Sequence, residues 1–197
     1  MKKEYRFLIK LVIGILMIIT VLIGYIPEPH YFVEFTAISN LSCGIIILVD
    51  GILNLKNKQV PNIIYIGFIS AMWVLSLLCL LGAFGLYELN FHGAFFFLHV
   101  INPLLFILSY LLFYQEKGEK KRQKVIAAPY VVASYFTFDY ILGQIRGHFV
   151  YGLFAVNSFK FVYAILALLA LYLVTALFGS LSIFLNTRIS KHLYKQK

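Results

Sequence analysis

The chain has 197 residues, 61% hydrophobic and 17% aromatic, with only 13% charged and a mean hydropathy of +0.87. Soluble domains carry about 45–50% apolar and roughly 25% charged residues, so soluble, disordered and disulfide-scaffold classes are excluded and an integral membrane protein is expected. The formal charge of +9 sits in short basic blocks between apolar runs, which membrane topology accounts for without nucleic acid.

A helix crossing roughly 30 Å of hydrocarbon needs about 20 mostly apolar residues. On that measure the sequence predicts six spans: Phe7–Tyr25, Phe35–Leu53, Asn62–Leu81, Gly93–Tyr114, Val125–Leu142 and Phe161–Leu185. They use most of the chain, so residues 1–197 are read as a single all-α domain, a bundle of six transmembrane helices. The first run is too long for a signal peptide, and Ile26-Pro27-Glu28-Pro29 offers no small-residue cleavage site; it is read as a retained helix. Fifteen basic residues fall in the N-terminus, the second and fourth loops and the tail, against only Arg146 and Lys160 on the other side. That bias predicts a multi-pass cell-membrane protein with both termini in the cytoplasm. Lys10 is counted here with the N-terminal block.

Polar side chains inside hydrocarbon are costly unless they face the bundle interior, so they mark where function is sought. In the second span Thr36, Asn40, Cys43 and Asp50 fall on one helical face. In the fourth, His92, His99, Asn102 and Tyr110 form a similar stripe beside Pro103. Each has a structural explanation: Thr36 as an N-cap, Ser39 and Asn40 as interhelical glue, Asp50 as the partner of Lys56 or Lys58. Together they suggest chemistry. A hydroxyl beside an imidazole is the minimal arrangement for nucleophilic acyl transfer, and Asn40 or Asn102 is placed to donate to an oxyanion.

Other chemistries lack their signatures. GxSxG, P-loop and HExxH motifs are missing from the sequence, the two cysteines form no CxxC, and the scattered histidines predict no metal site and no cofactor. The loop Gln144–Tyr151 reads either as an aromatic interfacial belt or as a lid in which Arg146, His148 and Tyr151 meet a substrate head group.

Three short motifs carry a resemblance: Phe35-Thr36-Ala37-Ile38-Ser39-Asn40-Leu41, the segment from His92-Gly93 to His99-Val100-Ile101-Asn102-Pro103, and Gly147-His148-Phe149-Val150-Tyr151. The chain resembles the androgen-induced and androgen-dependent family of six-span membrane threonine hydrolases and their bacterial relatives. After Tyr151 it departs from the family, with Gly152-Leu153-Phe154 in place of a Pro before Phe. The resemblance implies hydrolysis of lipid esters, typically fatty acid esters of hydroxy fatty acids, with Thr36 as nucleophile and His99 as its base. The aromatic residues Phe95, Phe96, Phe97 and Trp73 are then expected to wall the acyl chain. Two rivals stand beside this reading. One is a lipid- or small-molecule-binding or transport protein relying on Asp50 and Asp139; the other is a structural membrane subunit. An acyltransferase would use the same Thr/His pair with a lipid hydroxyl in place of water.

Overall fold

The structure is a computed structural model that describes residues 3–83, 93–115, 121–150 and 161–194. It is all-helical, with no strand among the described residues. Helix α1 spans Lys3–Tyr25 and α2 Phe35–Leu55, joined through a short 3-10 turn at Pro29–Val33. Then come α3 (Asn62–Ala83), α4 (Ala94–Phe113), α5 (Arg122–Arg146) and α6 (Phe161–Tyr194). All of these except α3 are long and apolar enough to cross a membrane; the apolar run of α3 covers Asn62–Leu77.

The helix bounds differ from the expected spans for local reasons. Helix α5 is broken by a turn at Ala128-Pro129, because proline offers no N–H to the preceding turn. It then runs to Arg146 and stops at Gly147, whose φ of 75° is the left-handed conformation that glycine adopts most readily at a helix end. Helix α6 continues about two and a half turns past Leu185, to Tyr194. At 34 residues and 1.5 Å per residue it is roughly 50 Å long, more than the roughly 30 Å of hydrocarbon that a spanning helix crosses.

The closest helix pair is α1 with α2. A Cβ added at Gly14 would lie 2.9 Å from the Gly44 carbonyl oxygen, and one at Gly44 would lie 3.1 Å from that of Gly14. Small residues thus let the two backbones touch, which is how helices associate when lipid removes the hydrophobic drive between them. The main core lies between α2, α3, α4, α5 and α6 and is built around Tyr65, Ile69, Met72, Phe106, Tyr110, Val132 and Ile183. Outward faces keep large apolar side chains exposed, among them Leu8, Val12, Ile15 and Ile19 on α1 and Leu166, Leu169, Leu173 and Leu177 on α6. An apolar exterior around a core that also contains polar groups suits a lipid solvent.

Two expectations about charges are corrected. Lys10 is not a loop residue: it is fully buried inside α1. Asp50 pairs with this Lys10 rather than with Lys56 or Lys58. The Asp50 carboxylate also accepts the Val60 N–H at 2.9 Å and the Tyr65 hydroxyl at 3.0 Å, while Lys10 reaches Asn54 Oδ1 at 3.5 Å. Three helices and the α2–α3 connection therefore converge on one carboxylate. Asp50 and Lys10 are fully buried, and buried donors are costly to leave without an acceptor.

Candidate active site

The stripe expected on α2 exists. Thr36, Asn40, Cys43 and Asp50 are all buried. Thr36 is not the N-cap, however; Glu34 holds that position without a side-chain cap bond. Its carboxylate instead accepts from Tyr25 Oη at 2.8 Å. On the other flank Tyr135 of α5 donates to the Val33 carbonyl at 2.8 Å, and its ring lies 5.0 Å from that of Phe35. The start of α2 is thus pinned by α1 and α5, and Thr36 sits in its first turn with 3% of its surface exposed.

Helix α4 presents the histidine through an irregularity. Residues Phe97–Ile101 form a π turn, and the Asn102 N–H bonds the Phe97 carbonyl five residues back. In that register the next carbonyl, Leu98, would take its hydrogen from residue 103, which is proline and has none. Asn40 fills the vacancy. Its Nδ2 donates to the Leu98 carbonyl at 3.1 Å and to the Thr36 carbonyl at 2.8 Å. One side chain therefore ties the backbone beside the threonine to the backbone beside the histidine.

The result is a contact between Thr36 Oγ1 and His99 Nε2 at 3.4 Å. His99 Nδ1 lies 3.1 Å from the Phe95 carbonyl, and a carbonyl oxygen can only accept. The proton is therefore assigned to Nδ1, which leaves Nε2 as the bare acceptor facing the threonine hydroxyl. The imidazole also stacks on the Phe95 ring, with centroids 4.0 Å apart and planes at 24°. Hydroxyl, imidazole and carbonyl lie in series, the order that a nucleophile, its base and an orienting group take in acyl transfer.

The remaining expected site residues divide. Asn102 is buried one turn along α4 and donates to Thr20 Oγ1 of α1 at 2.8 Å. Asn40 has both amide hydrogens engaged by carbonyls, so in this arrangement it positions the pair and has no donor left for an oxyanion. Arg146 and His148 are exposed, and the His148 ring contacts the Arg146 carbonyl of its own loop. No hydrogen bond among the described residues joins either to Thr36 or His99. Tyr151 and His92 lie outside the described residues. Trp73 is engaged elsewhere: it stacks on Phe178 and donates to Ser182 on α6. Of the three consecutive phenylalanines, Phe95 contacts the histidine, while Phe96 and Phe97 are turned to the exterior.

The sequence reading missed Thr20, the Phe95 carbonyl and the positioning role of Asn40. A signal for the last was present, since Pro103 one turn after His99 guarantees a carbonyl in need of a donor.

The π-turn account makes a prediction. Asn40→Leu strands the Leu98 carbonyl in an apolar interior, at a cost of about 1–3 kcal/mol. Pro103→Ala restores a local N–H, so adding Asn40→Leu to it should cost clearly less. Thermal unfolding of the four proteins in detergent measures this; equal costs in both backgrounds would overturn the assignment.

A search of protein-family models, curated proteins and solved structures finds no match to the chain.

Proposed function

We propose that the chain is a six-span membrane protein with both termini cytoplasmic, and that it hydrolyses lipid esters through an acyl-threonine. The observation that carries this reading is the Thr36 Oγ1–His99 Nε2 contact with the opposite ring nitrogen held by a carbonyl. At 3.4 Å the contact is long, as catalytic hydrogen bonds often are before substrate closes them.

In the proposed reaction Thr36 Oγ1 attacks the ester carbonyl carbon as its proton passes to His99 Nε2. The negative charge that builds on the carbonyl oxygen lies near the start of α2, whose first-turn N–H groups have no acceptor within the helix and carry the positive end of its dipole. Collapse breaks the ester C–O bond, and the imidazolium returns the proton to the departing alcohol. Water then attacks the acyl-threonine with His99 again as base, releasing the fatty acid and restoring the hydroxyl. Fatty acid esters, including those of hydroxy fatty acids, fit a nucleophile set among phenylalanine and leucine side chains. A lipid hydroxyl in place of water would give acyl transfer through the same two residues. The transport alternative draws on Asp50 and Asp139; the Asp50 carboxylate is engaged by Lys10, Val60 and Tyr65, which favours a structural role for it, and Asp139 accepts the Val150 N–H at 3.0 Å.

The test is covalent capture. A lipophilic fluorophosphonate, which traps activated hydroxyls with loss of fluoride, should add once to the purified protein. Peptide mapping should place the adduct on Thr36, and both Thr36→Ala and His99→Ala should abolish it. An adduct elsewhere, or none on folded wild type beside a labelled control hydrolase, overturns the proposal.

A further inference from the structure

A second feature lies at the far end of the bundle from Thr36. Asn186 of α6 donates to the Tyr110 and Tyr114 carbonyls at the C-terminal end of α4, which fixes the last turns of α6 at the end opposite His99. Between these turns and the start of α5 runs a groove of about 400 Å³. Its floor is Val125 from α5 with Ile183 and Phe184 from α6, and its rim is Arg188 and Lys191. On α6 the groove residues recur at steps of three and four, so they form a single face that changes from apolar to basic along its length.

The hydroxyls in the groove are satisfied within their own helix. Ser180 bonds the Ala176 carbonyl at 2.7 Å and Thr187 that of Ile183 at 2.8 Å, so the wall behaves as apolar. Among the described residues the rim cations meet no acid. Helix α6 contains no Asp or Glu, and α5 contains only Asp139, near its other end. Among the described residues Lys10 pairs with Asp50, and neither Arg188 nor Lys191 joins a carboxylate. The Arg188 guanidinium lies over the Phe184 ring, 5.2 Å from its centroid, at the boundary between the two halves of the groove.

We infer that this groove binds an anionic glycerophospholipid, with its phosphate between Arg188 and Lys191 and an acyl chain along Val125, Ile183 and Phe184. Charge complementarity and the order of polarity along the groove both match such a lipid. Two cations with no acid partner among the described residues stand at one end of the groove, where a phosphate would lie, and an apolar trough begins where the lipid tails would begin. The inference rests on the chain being a membrane protein and is independent of the hydrolase reading.

Native mass spectrometry of the full chain in mild detergent tests it, with phosphatidylglycerol and phosphatidylcholine of identical acyl chains added in competition. Wild type should retain one phosphatidylglycerol in preference to phosphatidylcholine. Arg188→Gln/Lys191→Gln should lower that preference by about thirtyfold, the effect of two interfacial basic residues. Val125→Trp, which fills the trough and leaves the charge alone, should lower the amount of lipid retained. Lys56→Gln/Lys58→Gln, which removes the same charge elsewhere, should leave the preference intact, as should Thr36→Ala. Three results would overturn the inference. These are no preference in wild type, an equal loss in the Lys56/Lys58 control, or displacement of the lipid by glycerol 3-phosphate at matched concentration, which would mark a site for free phosphate.

Discussion

Asp50→Leu is expected to be the most damaging single substitution in the bundle, costing about 3–5 kcal/mol, because breaking a buried pair leaves an uncompensated charge. It strands the fully buried Lys10 with only Asn54 Oδ1 at 3.5 Å. It also removes the acceptor of the Val60 N–H and the Tyr65 hydroxyl. Lys10→Met should cost less, since Asp50 then keeps those two donors. The double variant Lys10→Met/Asp50→Leu should fall well short of the sum, because it leaves neither charge alone. The measurement is loss of folded protein against temperature in one detergent, with all four proteins side by side. Additive losses would show that the two side chains do not act as a pair. Losses confined to Asp50 would show that the Val60 and Tyr65 bonds carry the effect.

That cluster also marks the boundary of what the sequence discloses. Hydropathy finds the helices because burying a backbone in lipid demands long apolar runs, and a face of Thr36, Asn40, Cys43 and Asp50 follows from helical periodicity alone. The partner of Asp50 does not. Charge counting assigns Lys10 to a basic terminus, whereas α1 carries it into the core, forty residues from its acid. Sequence distance says nothing about which helices touch, and here the glycines that bring α1 against α2 decide the matter.

The same division holds at the site. A threonine and a histidine on the inward faces of two helices are legible as candidates, yet their meeting depends on a π turn. An uninterrupted α-helix advances 100° per residue, so one extra residue in a turn re-aims every side chain on one side of it relative to those on the other. Pro103 hints at the irregularity, and Asn40 completes it by taking the carbonyl that proline leaves. Its spacing below Thr36 makes Asn40 an oxyanion-donor candidate, but its hydrogens hold the Thr36 and Leu98 carbonyls. The groove beside α6 was not legible at all, because it needs both the extension of that helix past Leu185 and the neighbour that faces it.

Thr36→Ala and His99→Ala should each reduce turnover of a medium-chain fatty acyl ester by about 10⁴–10⁶-fold, with the double variant no worse than the poorer single. The reasoning is that the hydroxyl and the imidazole act as one unit: without the base the threonine is a poor nucleophile, and without the hydroxyl the base has nothing to activate. Thr36→Ser keeps the oxygen and loses a methyl group, so it should retain measurable turnover and the fluorophosphonate adduct. Asn40→Leu should behave differently from all three. It leaves both reacting groups in place and loosens the carbonyls that aim them, so its defect should appear in kcat with the adduct still mapping to Thr36, only formed more slowly. Hydrolysis measured on purified protein, with release of both alcohol and acid, checks each step. Additive losses in the Thr36/His99 double variant would separate the two residues, and turnover that survives Thr36→Ala would remove the acyl-threonine from the mechanism.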